Sequence, residues 1–306
     1  MSNRYWGIDL GGTKIEVVVA DEEMNPLIRR RIATEAKEGY RHITGRIVRL
    51  LDMVSRESGF ALPKVIGMGT PGRYDADAGV LKNSNTLCLN GRNLKVDIED
   101  LLQCAVLIEN DANCFALAES LLGSGRNLMR GSDRTAFGMI IGTGVGGGIV
   151  CGDRVLHGAH GIAGEWGHNE LVHDGEPCYC GKRGCVETVI SGPALERYYC
   201  SLTGISRSLQ EIAGLCEIDR SAEATIGRLV DNFARALASV LNILDPDCCI
   251  IGGGVGCIGR LYSKECIGLI ERSLFSARLQ IPLLKPQLGD SAGVFGAALL
   301  AVNSKQ

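Results

Sequence analysis

Apolar residues in this chain follow two rhythms: short β-branched runs that break at glycine turns, and longer stretches with an apolar residue every three or four positions. In "YWGIDLGGTKIEVVVADE" the first rhythm predicts a strand, a turn at Gly11-Gly12-Thr13 and a second strand from Ile15 to Ala20. A turn between two short runs favours a hairpin over a helix. Ile43, Ile47, Leu50, Leu51 and Val54 carry the second rhythm and predict a helix. "KVIGMGTPGR" predicts a short strand that ends in a turn. "VLIENDANCFALAESLLG" predicts a strand ending at Asn110 and Asp111, then a helix from Ala112 to Gly123.

The second half repeats the theme. "AFGMIIGTGVGGGIVCGDRV" again reads strand, glycine turn, strand. Ile226, Leu229, Val230, Phe233, Leu237, Leu241 and Leu244 predict a long amphipathic helix. Asp245-Pro246 stops it. A strand from Cys248 to Ile251 then runs into Gly252-Gly253-Gly254, and "DSAGVFGAALLAV" predicts a closing helix of small residues. The duplicated pattern predicts an α/β protein of two related lobes. Residues 1–113 with 290–306 form the smaller lobe and 114–289 the larger.

Composition narrows the class. The 306 residues, 45% hydrophobic and 22% charged, describe an ordinary globular protein of one large or two medium domains. Net charge is −3, from 32 basic and 35 acidic groups, so neither nucleic acid nor an anionic membrane is an expected partner. "MSNRYWGIDLGG" carries no signal peptide, and no run approaches the roughly 20 apolar residues of a membrane span. A cytoplasmic location is expected. Of the 13 cysteines only Cys178, Cys180 and Cys185 cluster. The others read as buried apolar residues or free thiols of a reducing compartment.

The glycine turns are the first candidate chemistry. Gly11-Gly12-Thr13-Lys14, Gly142-Thr143-Gly144 and Gly252-Gly253-Gly254 each follow a predicted strand. Glycine lets a backbone approach a ligand and lets successive N–H groups point at one anion. Thr13 and Thr143 add hydroxyls, and Lys14 a cation. Any one of these could be a plain tight turn; three together point to a nucleotide. Neither a Walker loop nor a dinucleotide fingerprint is present. Asp9, just before the first turn, is a candidate for holding Mg²⁺ beside phosphates, or for capping the turn.

Asp111 is the second. A carboxylate at the carboxyl end of a strand stands where α/β folds bind ligands, and phosphoryl transfer to an alcohol needs a group to take the hydroxyl proton. The competing reading makes Asp111 the N-cap of the helix that follows. Asn85, Asn110, Glu165 and Glu187 offer the paired donors and acceptors that a polyhydroxylated substrate requires.

The third is the stretch "GEWGHNELVHDGEPCYCGKRGCVET". His168, Cys178, Cys180 and Cys185 make a Cys₃His set, which suits a closed, structural zinc site. Free or redox-active thiols are the alternative. A metal there would fix Glu165, His168 and Glu187 at the edges of one knot.

With those residues in hand, the chain resembles the ROK family of bacterial sugar kinases over nearly its whole length. "DLGGTK", "GTPG", "ENDAN", "IGTGVGGG", "GEWGH", "CYCGKRGCVE", "ILDP" and "IIGGG" stand in the family's order. The resemblance implies two ribonuclease-H-like lobes of the actin-like ATPase superfamily around a hinged cleft, and a homodimer. It implies ATP with Mg²⁺, structural Zn²⁺, and transfer of the γ-phosphate to a hexose hydroxyl, commonly the 6-hydroxyl. Carried over, Asp111 is the base. Gly72, Asn85, Asn110, Asp111, Glu165, His168 and Glu187 are sugar contacts. Asp9, Gly11, Gly12, Thr13, Lys14, Gly142, Thr143, Gly144, Gly253 and Gly254 are nucleotide-side residues, and His168, Cys178, Cys180 and Cys185 the zinc ligands. "LKNSNTLCLNG" and "GEWGHN" look closest to the fructokinase and mannokinase branch, so a fructose, mannose or glucose substrate is expected. N-acetylglucosamine or N-acetylmannosamine is the alternative. The family's transcriptional repressors carry a preceding helix-turn-helix domain. A first strand near Tyr5 leaves no room for one here, so a sensing or repressor role is not expected.

Overall fold

The computed structural model describes residues 3–303. Two compact units emerge. One is built from the chain up to Gly123, Asp153–Ala163, and the chain from Leu288 onward; the other from Ser124–Gly152 and Gly164–Gln287.

In the first unit the strands run in the order Pro26–Ala33, Lys14–Ala20, Tyr5–Leu10, Val65–Thr70, Ala105–Asn110. The first three form an antiparallel meander, with Ile8 opposite Val17. Tyr5–Leu10, Val65–Thr70 and Ala105–Asn110 run parallel, with Gly69 opposite both Asp9 and Glu109. Alternation sends Trp6, Ile8, Leu10, Ile15, Val17 and Val19 to one face. There they pack on Ile43, Ile47, Leu50, Leu51 and Val54 of the helix Tyr40–Ser58 and on Leu94 and Ile98 of Leu94–Leu102. The opposite face carries Gly7 and Gly67. The helix Ala292–Asn303 lies so close there that a Cβ on Gly67 would sit 1.7 Å from the Ala297 carbonyl oxygen. Small residues on both partners are what permit this approach.

Hydrophobic patterning does not reveal Pro26–Ala33, because three consecutive arginines fill it. It is an edge strand, where charge protects against stray pairing. Arg31 reaches the buried Glu16 at 2.6 Å and Arg29 reaches it at 3.3 Å.

The second unit repeats the arrangement. Its strands include Val145–Cys151, Thr135–Ile141, Cys248–Gly252 and Leu283–Leu284 in that order, an antiparallel hairpin followed by parallel neighbours. The helix Arg220–Leu244 buries Ile226, Leu229, Val230, Phe233, Leu237 and Leu241 against Phe137, Met139, Ile141 and Ile251. It stops at Asp245, which adopts a left-handed conformation with φ 45°.

The duplicated pattern places the change of lobe at residue 113, whereas the chain leaves the first unit at Gly123. The helix Asp111–Leu121 belongs wholly to that unit because it packs on Ala292–Asn303; a Cβ on Gly296 would sit 1.9 Å from the Cys114 carbonyl oxygen. The excursion Asp153–Ala163 also joins the first unit. Among the described residues no helix is long and apolar enough to cross a membrane.

Candidate active site

The carboxyl ends of the parallel strands gather one group of the expected residues in the first unit. Asp9 closes in on Gly69 and Gly293, where added Cβ atoms would lie 3.6 Å and 3.0 Å from its carboxylate oxygens. The Gly11–Lys14 turn is held by Gly11 N–H donating to the Lys14 carbonyl at 2.9 Å and by Thr34 Oγ1 donating to the Gly11 carbonyl at 2.6 Å. The loop bearing the exposed Asn85 lies beside this turn; a Cβ on Gly12 would stand 3.2 Å from Thr86 Oγ1. Asn90 clamps that loop by accepting from Ser84 N–H at 2.8 Å and donating to the Ser84 carbonyl at 2.9 Å. Lys14 Nζ faces Asp290 at 3.6 Å.

Asn110, not Asp111, caps the helix. Its Oδ1 accepts from Ala112 N–H at 2.9 Å while its Nδ2 donates to the Gly72 carbonyl at 2.9 Å. Asp111 is the first residue inside the helix. Its Oδ1 lies 2.8 Å from the same Ala112 nitrogen. The capping role is thus filled by the neighbour.

Burial pushes the Asp9 carboxyl from its ordinary 3.8 up to about 7, and the charges of Asp111 and Glu16 add to the rise against the pull of Lys14 and Arg31. Folding therefore favours the protonated form. That contribution to stability is complete below about pH 4 and is lost as pH rises through about 7. The thermal midpoint of the ligand-free protein is expected to fall between about pH 5 and pH 8, and Asp9→Asn to remove that component of the slope. Identical slopes in scanning calorimetry would assign the pH dependence elsewhere.

The second unit gathers the rest in two places. Around the first, Gly192 N–H donates to the Gly142 carbonyl at 2.8 Å, and Gly253 turns with φ 81°, so close to the Ile141 carbonyl that only glycine fits. Gly142, Thr143 and Gly254 form part of the wall of a cavity of about 980 Å³. Leu209, Ala213, Ile226 and Ile258 supply apolar wall, and Glu196 and Arg260 the charged groups.

The second place is the cysteine knot. Trp166, buried edge-on against Phe137, donates from Nε1 to the Gly146 carbonyl at 3.0 Å and so ties "GEWGH" to the glycine-rich strand. The His168, Cys178, Cys180 and Cys185 ligand atoms all lie within 4.8 Å of one another. His168 Nδ1 stands 3.6 Å from Cys178 Sγ, and Cys180 Sγ 3.6 Å from Cys185 Sγ. Thiolates around one tetrahedral zinc, with bonds of about 2.3 Å, are separated by about 3.8 Å. The donor set therefore fits such an ion. Burial pushes the Cys185 thiol up to about 12, a proton that a cation would displace.

His168 Nε2 meets Tyr179 Oη at 3.1 Å and Glu165 Oε2 at 4.0 Å. Burial and the charges of Glu187 and Glu165 raise the Tyr179 phenol above its ordinary pKa. Glu187 Oε2 accepts from Val145 N–H at 2.9 Å, joining the knot to the hairpin that contains Gly144. Tyr179 is not singled out by the sequence, where it is only the spacer between two cysteines.

Known proteins share this architecture. A profile of the ROK family matches residues 5–304. An N-acetyl-D-glucosamine kinase of Yersinia pseudotuberculosis is 34% identical over 312 residues, covering 98% of this chain and 100% of the relative. The ROK hexokinase from Thermus thermophilus superimposes with a TM-score of 0.83 at 31% identity, over 99% of this chain and 100% of that one. A ROK family glucokinase from Streptomyces griseus, solved with glucose and AMPPNP, gives 0.78 at 30% identity, over 98% and 100%. The class is that of ATP-dependent sugar kinases with the actin-like ATPase fold. Within it, the chain belongs to the ROK family.

Proposed function

We propose that the protein transfers the γ-phosphate of ATP to the 6-hydroxyl of N-acetyl-D-glucosamine. The match to the Yersinia N-acetyl-D-glucosamine kinase carries this reading, since it covers 98% of this chain and 100% of that kinase at 34% identity. It favours the acetamido sugar over the fructose, mannose or glucose expected from "LKNSNTLCLNG" and "GEWGHN". The plain-hexose reading keeps support from the hexokinase and glucokinase structures.

In the proposed mechanism Asp111 accepts the proton as the sugar oxygen bonds to the γ-phosphorus and the bond to the ADP oxygen breaks. Asn110 and Gly72 hold the base's end of the strand in place. Asn85, Glu165, His168 and Glu187 take the remaining sugar hydroxyls. The apolar wall of the cavity receives the adenine ring, and the turns at Gly142–Gly144 and Gly253–Gly254 take its phosphates. Gly11–Lys14 is the first unit's candidate turn for phosphate oxygens. Asp9 would hold Mg²⁺, which supplies charge neutralisation of the phosphates when bound. His168, Cys178, Cys180 and Cys185 would hold a structural zinc ion.

ADP release from Mg-ATP tests the reading, with N-acetylglucosamine, N-acetylmannosamine, glucose, mannose and fructose each as sole acceptor. N-acetylglucosamine is expected to give the highest kcat/KM. A plain hexose winning by tenfold or more, about 1.4 kcal/mol, would transfer the assignment to that sugar.

A further inference from the structure

One polar cluster behind Asp111 has no part in the mechanism above. Glu109 is the penultimate residue of the strand Ala105–Asn110, and its side chain is only 12% exposed. Its Oε1 accepts from Asn110 N–H at 2.7 Å and from Asn113 Nδ2 at 2.8 Å. The carboxylate thus grips both the residue before Asp111 and the residue two after it. Asn113 is itself buried, so its side chain is held where it makes this bond. The other oxygen, Oε2, meets His157 Nε2 at 3.2 Å.

His157 comes from the excursion Asp153–Ala163. Asn303 Nδ2 donates to the Asp153 carbonyl at 2.6 Å, and Arg73 donates to the His160 carbonyl. The excursion is therefore fastened to the first unit on both sides of His157. With the backbone anchored on either side, the His157 ring nitrogen stays beside the second carboxylate oxygen and restrains the plane in which the first meets Asn110 and Asn113.

We propose that His157 is a positioning residue for the base: by holding Glu109 it sets the backbone direction at Asn110 and hence the aim of the Asp111 carboxylate. The inference rests on reading Asp111 as the base. A half-exposed pair of this kind adds little stability, about 0–1 kcal/mol. A small misplacement of a catalytic group lowers rate far more than it lowers stability.

The test uses the full chain with His157→Ala and His157→Gln. Glutamine keeps a nitrogen donor for Glu109. In His157→Ala, kcat is expected to fall about tenfold, with KM for acceptor and ATP within about twofold of wild type. The thermal midpoint should barely move. His157→Gln should recover most of the lost kcat. Amide hydrogen exchange across residues 105–117, read without substrate, should quicken in the alanine variant and return in the glutamine variant.

Wild-type kcat or unchanged exchange in His157→Ala would overturn the proposal. So would equal losses in the two variants, or a loss matched by a large fall in thermal midpoint. Asp111→Asn separates this from the wider reading. Retained turnover there removes the base assignment itself; lost turnover there with a normal His157→Ala removes only the positioning role.

Discussion

Replacing Asp111 by asparagine is expected to lower turnover by about 10²–10⁴-fold, the contribution of a positioned general base. Acceptor and ATP should bind within a few-fold of wild type. The local structure favours a clean result. Asn110 caps the helix, so the substitution leaves the cap in place. The lost carboxylate also carries a favourable interaction with the helix N-terminus, about 0.3–1 kcal/mol, which a folded protein of this size tolerates. A second consequence is independent of catalysis. Asp111 is one of the charges that raise Asp9, so the Asp9 pKa should move down in the variant. Steady-state kinetics beside isothermal titration of each ligand separates loss of chemistry from loss of binding. Turnover near the wild-type value would exclude Asp111 as the base.

Cys185→Ser should have the second largest effect. Cys185 is fully buried and caps the short helix Val186–Ile190, whose second residue is Glu187. Its backbone also pairs with Glu170, closing the loop on His168. Binding of zinc to closed sites of this type contributes about 10–16 kcal/mol in peptides, and that energy holds the local fold. Zinc content is expected to drop from about one ion per chain to near zero. Acceptor binding should go with it, because the knot sets Glu165, His168 and Glu187. Nucleotide binding should suffer less, since the cavity is lined by other segments. Elemental analysis of the wild-type protein decides the premise: a folded, fully active chain without zinc would end this reading of the knot.

Much of the fold could be read from the chain because its core follows simple periods. The apolar positions chosen for the first long helix are all buried, and those chosen for Arg220–Leu244 are buried except Leu244, at the last turn. The hairpins around Gly11–Lys14 and Gly142–Gly144 stand where β-branched runs break at glycine. Three features escaped. Pro26–Ala33 has its apolar residues interrupted by Arg29, Arg30 and Arg31 and takes its strand geometry from its neighbour. The helix Leu94–Leu102 buries only Leu94 and Ile98, too few to set a period. The excursion that brings His157 to Glu109 depends on pairing across 48 residues, and spacing along a chain carries no sign of that. In the candidate site, residue types announced themselves where chemistry needs a rare set, as in the Cys₃His knot. They did not where the chemistry is a partner choice: Asn110 and Asp111 are equally good caps on paper, both reach the Ala112 N–H, and what distinguishes them is that Asn110 keeps an extended backbone while Asp111 is already helical.

The glycine face under Ala292–Asn303 has a bearing on synthesis. The first sheet to leave the ribosome is covered by a helix made last. At about 5–20 residues per second, the strands ending at Asn110 wait on the order of ten to forty seconds before that helix exists. Through that interval Gly7 and Gly67 lie in a shallow, uncovered furrow. The second unit, drawn from two stretches closer together in the chain, has its full sequence by Gln287. During synthesis the first sheet is therefore expected to stay open on its glycine face until the helix Ala292–Asn303 is made.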